Sequence, residues 1–148
     1  MDETKKLLEC VSYNARIGLD SVRALCGKTD DEVLKNELYS EEDTLIGILR
    51  RADDALSRMG ETPPSTASAK VGMWFGLQKD TLTDKSREHL ADMLIQGNTM
   101  GIIEITKARG KYPAANQESQ KLACDLLTHE QDSVDRLKNL LATPSPVV

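Results

Sequence analysis

Glu41, Asn98 and Glu130 each fall near the centre of an otherwise apolar helical stripe, with Glu42 on a flank and Asn14 at the edge of another stripe. A carboxylate or amide in such a place is costly unless it is paired, hydrogen-bonded or bound to metal. Inward-pointing carboxylates at mid-bundle are also how four-helix proteins hold pairs of metal ions. Such a site takes one Glu from each of two helices and Glu-x-x-His from each of the other two. Here Glu130-Gln-Asp-Ser133 has the Glu but Ser at the histidine position. Glu41-Glu-Asp-Thr44 and Glu42-Asp-Thr-Leu45 have no histidine either, and Asn14 and Asn98 are neutral.

The two histidines do not fill the gap. His89 lies more than two turns before Asn98, and His129 points about 90° away from the centre of its stripe. Both are expected at the surface or at a boundary. Two core carboxylates without a placed imidazole carry too little charge for two divalent ions. The expectation is a buried hydrogen-bonded layer in which Asn14 and Asn98 donate to Glu41 or Glu42 and to Glu130, with Ser133 at the degenerate ligand position. No cofactor is expected. The alternative is an unorthodox iron or manganese site using Glu42 (or Glu41), Glu130 and His129.

The elements that must position these residues are helices. Leu8, Val11, Ala15, Leu19, Val22 and Leu25 make one stripe, and Leu34, Leu38, Leu45, Leu49, Ala52 and Leu56 a second. Leu90, Ala91, Leu94, Ile95, Gly101, Ile102, Ile105 and Ala108 make a third; Leu122, Ala123, Leu126, Leu127, Val134, Leu137, Leu140 and Leu141 a fourth. All repeat at helical spacing. Gly27 and Gly60 suit left-handed positions after the first two helices. Thr29-Asp-Asp-Glu32 reads as a capping box, Asp84 as the third cap and Pro113 as the first turn of the last helix. The fold expected is an all-α four-helix bundle, with helices at about 3–26, 30–59, 84–109 and 113–141. The connections run short, long, short. That makes two antiparallel hairpins joined by one crossover, residues 61–83, able to travel back along helices of about 35 Å. Residues 1–141 are expected to form one domain, and 142–148 a disordered tail.

The chain has 148 residues, enough for one domain that buries roughly two-thirds of its unfolded surface. One Trp, one Phe and three Tyr leave an aliphatic core. A net charge of −5 with intermixed signs invites no nucleic acid, and no run approaches the ~20 apolar residues of a membrane span. The N-terminus does not read as a signal peptide. Cys10, Cys26 and Cys124 form no CxxC motif and read as reduced thiols packed as small hydrophobes in a cytoplasmic protein. No nucleophile–base arrangement is visible, so a hydrolase is not expected.

Two further features stand out. Gly97 and Gly101 sit one turn apart inside a helix, each costing roughly 1 kcal/mol relative to Ala. They either allow close helix packing, with Gly18 as a neighbour, or form a notch that admits a ligand or a bulky side chain from the crossover. Met73, Trp74 and Phe75 gather in a short amphipathic piece of the crossover. They form either a lid on the bundle or a patch for dimerisation.

The layout and residues 84–104, from Asp84-Lys-Ser-Arg-Glu-His-Leu to Met-Gly-Ile-Ile-Glu104, resemble the ferritin-like (rubrerythrin-like) superfamily. More narrowly they resemble a family of small bacterial ferritin-like domains of unknown function. The closing Leu126-Leu-Thr-His-Glu-Gln-Asp-Ser-Val-Asp-Arg-Leu-Lys138 supports the likeness. The resemblance implies ligand positions at or near Asn14, Glu42 with Leu45, Gly97 or Asn98, and Glu130 with Ser133. Only Glu42 and Glu130 match in type. The expected function is a non-enzymatic bundle acting through self-association, a dimer first, or through protein contacts. A metal-binding oxidoreductase or metal-storage protein is the alternative.

Overall fold

The computed structural model describes residues 2–63 and 85–143. Four helices account for most of them: α1 (Asp2–Cys26), α2 (Glu32–Arg58), α3 (Arg87–Lys111) and α4 (Gln117–Ala142). Met73, Trp74 and Phe75, the amphipathic crossover piece and residues 144–148 lie outside the described residues. Helix four reaches Ala142, one residue further than expected.

The helix starts are set by short polar side chains rather than by the residues the sequence favoured. Asp31, not Thr29, caps α2 by accepting from the Leu34 N–H at 2.9 Å, while the Thr29 hydroxyl accepts from the Asp31 N–H. Ser86 caps α3, accepting from His89 N–H, and Asp84 lies outside the described residues. Pro113 stays in the turn, and Asn116 caps α4 by accepting from Ser119 N–H. An accepting oxygen three residues before an orphan N–H decides each boundary. Gly60 ends α2 as expected, at φ +78°, with its N–H on Ser57 O and the Glu61 N–H on Leu56 O. Gly27 does not adopt the left-handed conformation, because α1 closes through bonds from Lys28 and Thr29 to Leu25 O.

Side-chain pairs fix the helix directions. Ser12 donates to Asp53 and Arg23 pairs with Glu42, so α1 and α2 run antiparallel. Asn98 donates to Ser133 while Arg109 donates to Gln120, which makes α3 and α4 antiparallel as well. Arg58 with Glu118 and Arg136 with Glu37 set α2 antiparallel to α4. The start of α1 meets the start of α4, where Asn116 N–H donates to Thr4 and Ala114 N–H to Glu3. The bundle therefore runs up, down, down, up, and α2 ends at the opposite pole from the start of α3.

The core is aliphatic and fills all four stripes: Leu7, Leu8, Leu25, Leu34, Leu38, Leu56, Leu90, Ile105, Leu122, Leu126 and Leu137 are almost completely buried. Val134 and Leu140 are half-buried and Leu141 is exposed, so the fourth stripe is narrower at its end than its spacing suggests. Helix α3 is the least one-sided, exposing Met100 and Ile103 as well as burying Leu90, Leu94 and Ile105. Among the described residues, no helix is long and apolar enough to cross a membrane.

At one pole, Arg87 is buried and donates to Asp31 at 2.9 Å and to the Thr143 carbonyl. One guanidinium thus ties the starts of α2 and α3 to the end of α4. Burial works against the Asp31 charge, yet the Leu34 N–H and Arg87 hold its carboxyl below the usual range. Removing one partner of a buried pair leaves the other uncompensated. Arg87→Ala should therefore cost about 3 kcal/mol or more in chemical denaturation, and a loss below 1 kcal/mol would show that Arg87 does not clamp this pole.

Candidate functional site

The polar centre of the bundle is a rung across α3, α4 and α2. Asn98 on α3 donates from Nδ2 to Ser133 Oγ on α4 at 2.8 Å. Ser133 in turn donates to Glu41 Oε1 on α2 at 2.6 Å. A serine hydroxyl has one proton and two lone pairs, so it can accept and donate at once, which a threaded rung requires. Ser133 and Glu41 are fully buried. The other Glu41 oxygen, Oε2, has no hydrogen-bond partner. Burial pushes the Glu41 carboxyl up to about 7, with Ser133 opposing that rise and Glu37 adding to it.

Glu130 lies one turn before Ser133 on α4 and is 5% exposed. Its carboxyl group is seated directly against the backbone of Gly101 on α3. A methyl built on Gly101 would overlap it, falling 2.8 Å from its Cδ. The absent side chain of Gly101 leaves room for Glu130 of the neighbouring helix, so this glycine serves the contact between α3 and α4. Gly97, by contrast, has open space around it, and Gly18 packs against Leu45 rather than either glycine. Glu130 Oε2 is buried without a partner, and burial pushes the carboxyl up to about 8. At neutral pH it is held as the uncharged acid.

No family model, no curated protein and no solved structure matches the chain.

Several expected members of the polar layer lie elsewhere. Asn14 donates to the Cys10 carbonyl one turn back on its own helix and weakly to the Cys10 thiol, so it reaches neither Glu41 nor Glu130. Glu42 lies on the flank of α2, where it accepts from Arg23 Nε at 3.0 Å. Asn98 donates to Ser133 rather than directly to a carboxylate. His129 is not a surface residue: it is 7% exposed, its Nε2 is buried without a partner, and burial with the nearby Arg136 charge lowers it to about 4. His89 is half-buried, also with Nε2 unpartnered. The Cys10 thiol is raised to about 11 by burial and the Glu104 carboxylate, which leaves it protonated and unreactive.

Other polar contacts were missed by reading the stripes. Ser12 donates to Asp53 at 2.6 Å, and Arg16 pairs with the same carboxylate, forming a second rung between α1 and α2. Glu37 and Arg136 make a short ion pair between α2 and α4, at 2.6 Å. Each joins residues that look merely hydrophilic in the sequence; only the facing helix makes them partners.

Of the groups at the ligand positions, Glu42 is engaged by Arg23, the Ser133 hydroxyl donates its proton to Glu41, and Asn98 presents its N–H₂ to Ser133. Among the described residues, no three His, Cys, Asp or Glu side chains gather closely enough to hold an ion. What the arrangement can do is hold protons in a dry core.

Two outcomes follow from this geometry. Gly97→Ala should stabilise the protein by up to about 1 kcal/mol, whereas Gly101→Ala should destabilise it by about 1–3 kcal/mol by displacing the Glu130 carboxyl. The Glu130→Ala background should remove most of that penalty, because the new methyl then enters emptied space; an unchanged penalty would show that Glu130 does not occupy the notch. The second outcome concerns pH. A carboxyl raised from 4.5 to about 8 stays protonated in the fold while the unfolded chain ionises, so its contribution is lost as pH rises through that window. The stability of wild type relative to Glu130→Gln should therefore fall from pH 4.5 to 8 and level off above; a flat difference in denaturation midpoints would contradict the assignment.

Proposed function

We propose that this chain is a ferritin-like bundle that works without metal chemistry, through self-association or contacts with other proteins. The observation that carries this reading is the Ser133 hydroxyl. It links Glu41 to Asn98 at the position where the Glu-x-x-His pattern needs an imidazole, so a hydroxyl, and not a metal ligand, meets one oxygen of the mid-bundle carboxyl. The helix directions support the ferritin-like part. Two antiparallel hairpins with a long connection between α2 and α3 are the connectivity of that class. Half-buried free thiols at Cys10, Cys26 and Cys124 favour a reducing, cytoplasmic setting.

Self-association is supported by α3, whose Met100 and Ile103 are about half exposed in the middle of a helix that, among the described residues, packs chiefly on α1 and α4. A homodimer that covers these side chains is the first arrangement to test. Protein purified anaerobically should carry far less than one iron or manganese per chain by elemental analysis. Stoichiometric metal that disappears in Glu130→Ala would overturn the metal-free reading and favour an unorthodox carboxylate site. Light scattering coupled to gel filtration should give a dimer for wild type and a monomer for the Met100→Glu, Ile103→Glu double variant. A wild-type monomer at all concentrations would remove self-association.

A further inference from the structure

Glu37 and Glu41 stand one turn apart on α2 and meet Ser133 and Arg136, which stand one turn apart on α4. Arg136 Nε holds Glu37 Oε1 at 2.6 Å, and Ser133 Oγ holds Glu41 Oε1 at 2.6 Å. Each carboxyl is therefore pinned by one oxygen from the opposite helix. The Glu41 and Glu37 carboxyls lie within hydrogen-bonding reach of each other, and the remaining Glu41 oxygen is buried without a donor. Two carboxylates cannot satisfy each other, since both only accept. A carboxylic acid and a carboxylate can, because one proton makes the contact a charge-assisted O–H···O bond.

We propose that Glu37 and Glu41 share one proton, and that this acid–carboxylate pair is a latch between α2 and α4 that opens when the proton leaves. Glu41 is the protonated partner: it is almost wholly buried, whereas Glu37 keeps 14% of its side chain exposed and faces the Arg136 cation. Donation then runs along one continuous path, from Asn98 to Ser133 to Glu41 to Glu37, and ends on the carboxylate held by Arg136. Loss of the proton places two negative charges together with a single arginine to balance them.

The other charged groups around the pair are accounted for. On α4, His129 is neutral near pH 7 and Asp132 lies on the exposed side, while Glu130 is protonated in its own notch. On α1, Arg23 is engaged by Glu42, and α3 contributes the neutral Asn98. None supplies a second cation to Glu41.

The sign follows from the buried carboxyl. Glu41 is raised from 4.5 to about 7, so the latch is strongest below pH 4.5 and is lost as pH rises through 7. His129, depressed to about 4, works in the opposite direction at acid pH, so wild type has to be compared with a variant. Glu41→Gln is the suitable one: its amide N–H₂ donates to Glu37 and its carbonyl accepts from Ser133, which reproduces the protonated pair at every pH.

The test is carbon-detected NMR of the glutamate carboxyl groups, with hydrogen exchange of α2 and α4 amides in the full chain. The Glu41 carboxyl should titrate well above the ordinary range in wild type. In Glu37→Gln its midpoint should fall by about one unit or more, because a like charge is replaced by a donor. The opening equilibrium of the α2–α4 amides in wild type, divided by that in Glu41→Gln, should rise about tenfold per pH unit between 4.5 and 7 and then level off. A Glu41 midpoint unchanged in Glu37→Gln would mean that burial alone raises it and would overturn the shared proton. A pH-independent exchange ratio would overturn the latch even if the proton is shared. Should Glu41→Gln fail to fold, the two titrations decide the shared proton, and the same exchange ratio taken against Glu37→Gln decides the latch: a pH-independent ratio would overturn it.

Discussion

A carboxyl group in a dry helical core must be neutral, paired or hydrogen-bonded, and the centre of this bundle is organised by that requirement. Glu41 and Glu130 are both almost fully removed from water. Ser133 meets the requirement for one oxygen of Glu41, and Gly101 makes the space in which Glu130 can remain an uncharged acid. These groups stand on α2, α3 and α4, so they specify how far each helix may slide past the others. Aliphatic side chains above and below would tolerate several registers; a hydroxyl threaded between an amide and a carboxyl tolerates one.

Much of this was legible in the sequence. The apolar stripes, the mid-stripe positions of Glu41, Asn98 and Glu130, and the short, long, short spacing of the connections all depend on periodicity along a single helix. Periodicity says which face turns inward. It does not say what lies opposite. Asn14 looked like a member of the polar layer, yet a nearer acceptor existed one turn back in its own helix. His129 looked peripheral on its wheel, but the α2 side of the bundle closes over it. Glu37 and Arg136 carried no signal, because a charged pair bridging two helices has the same composition as two separate surface residues. The cap of α2 moved by two residues for a similar reason: Thr29 and Asp31 are both competent caps, and local geometry chooses between them.

Arg87 and the core rung divide the stabilising work by position. At the pole, a buried cation gathers three helix ends that are far apart in sequence. At mid-height, neutral hydrogen bonds do the joining, where an unbalanced charge would be far from water. Between them the packing is aliphatic. Of the two glutamates with raised proton affinity, Glu41 therefore sits where the two hairpins meet, whereas Glu130 sits inside the α3–α4 hairpin, against Gly101.

The seat of Glu130 against Gly101 also constrains how such a chain could change over generations. Any side chain at position 101 collides with the carboxyl, while shortening residue 130 first leaves an empty notch that a methyl can later enter. The order of substitutions therefore matters: loss of the acid opens a route to losing the glycine, and the reverse order passes through an overcrowded core. Two positions far apart in the chain inherit each other's history.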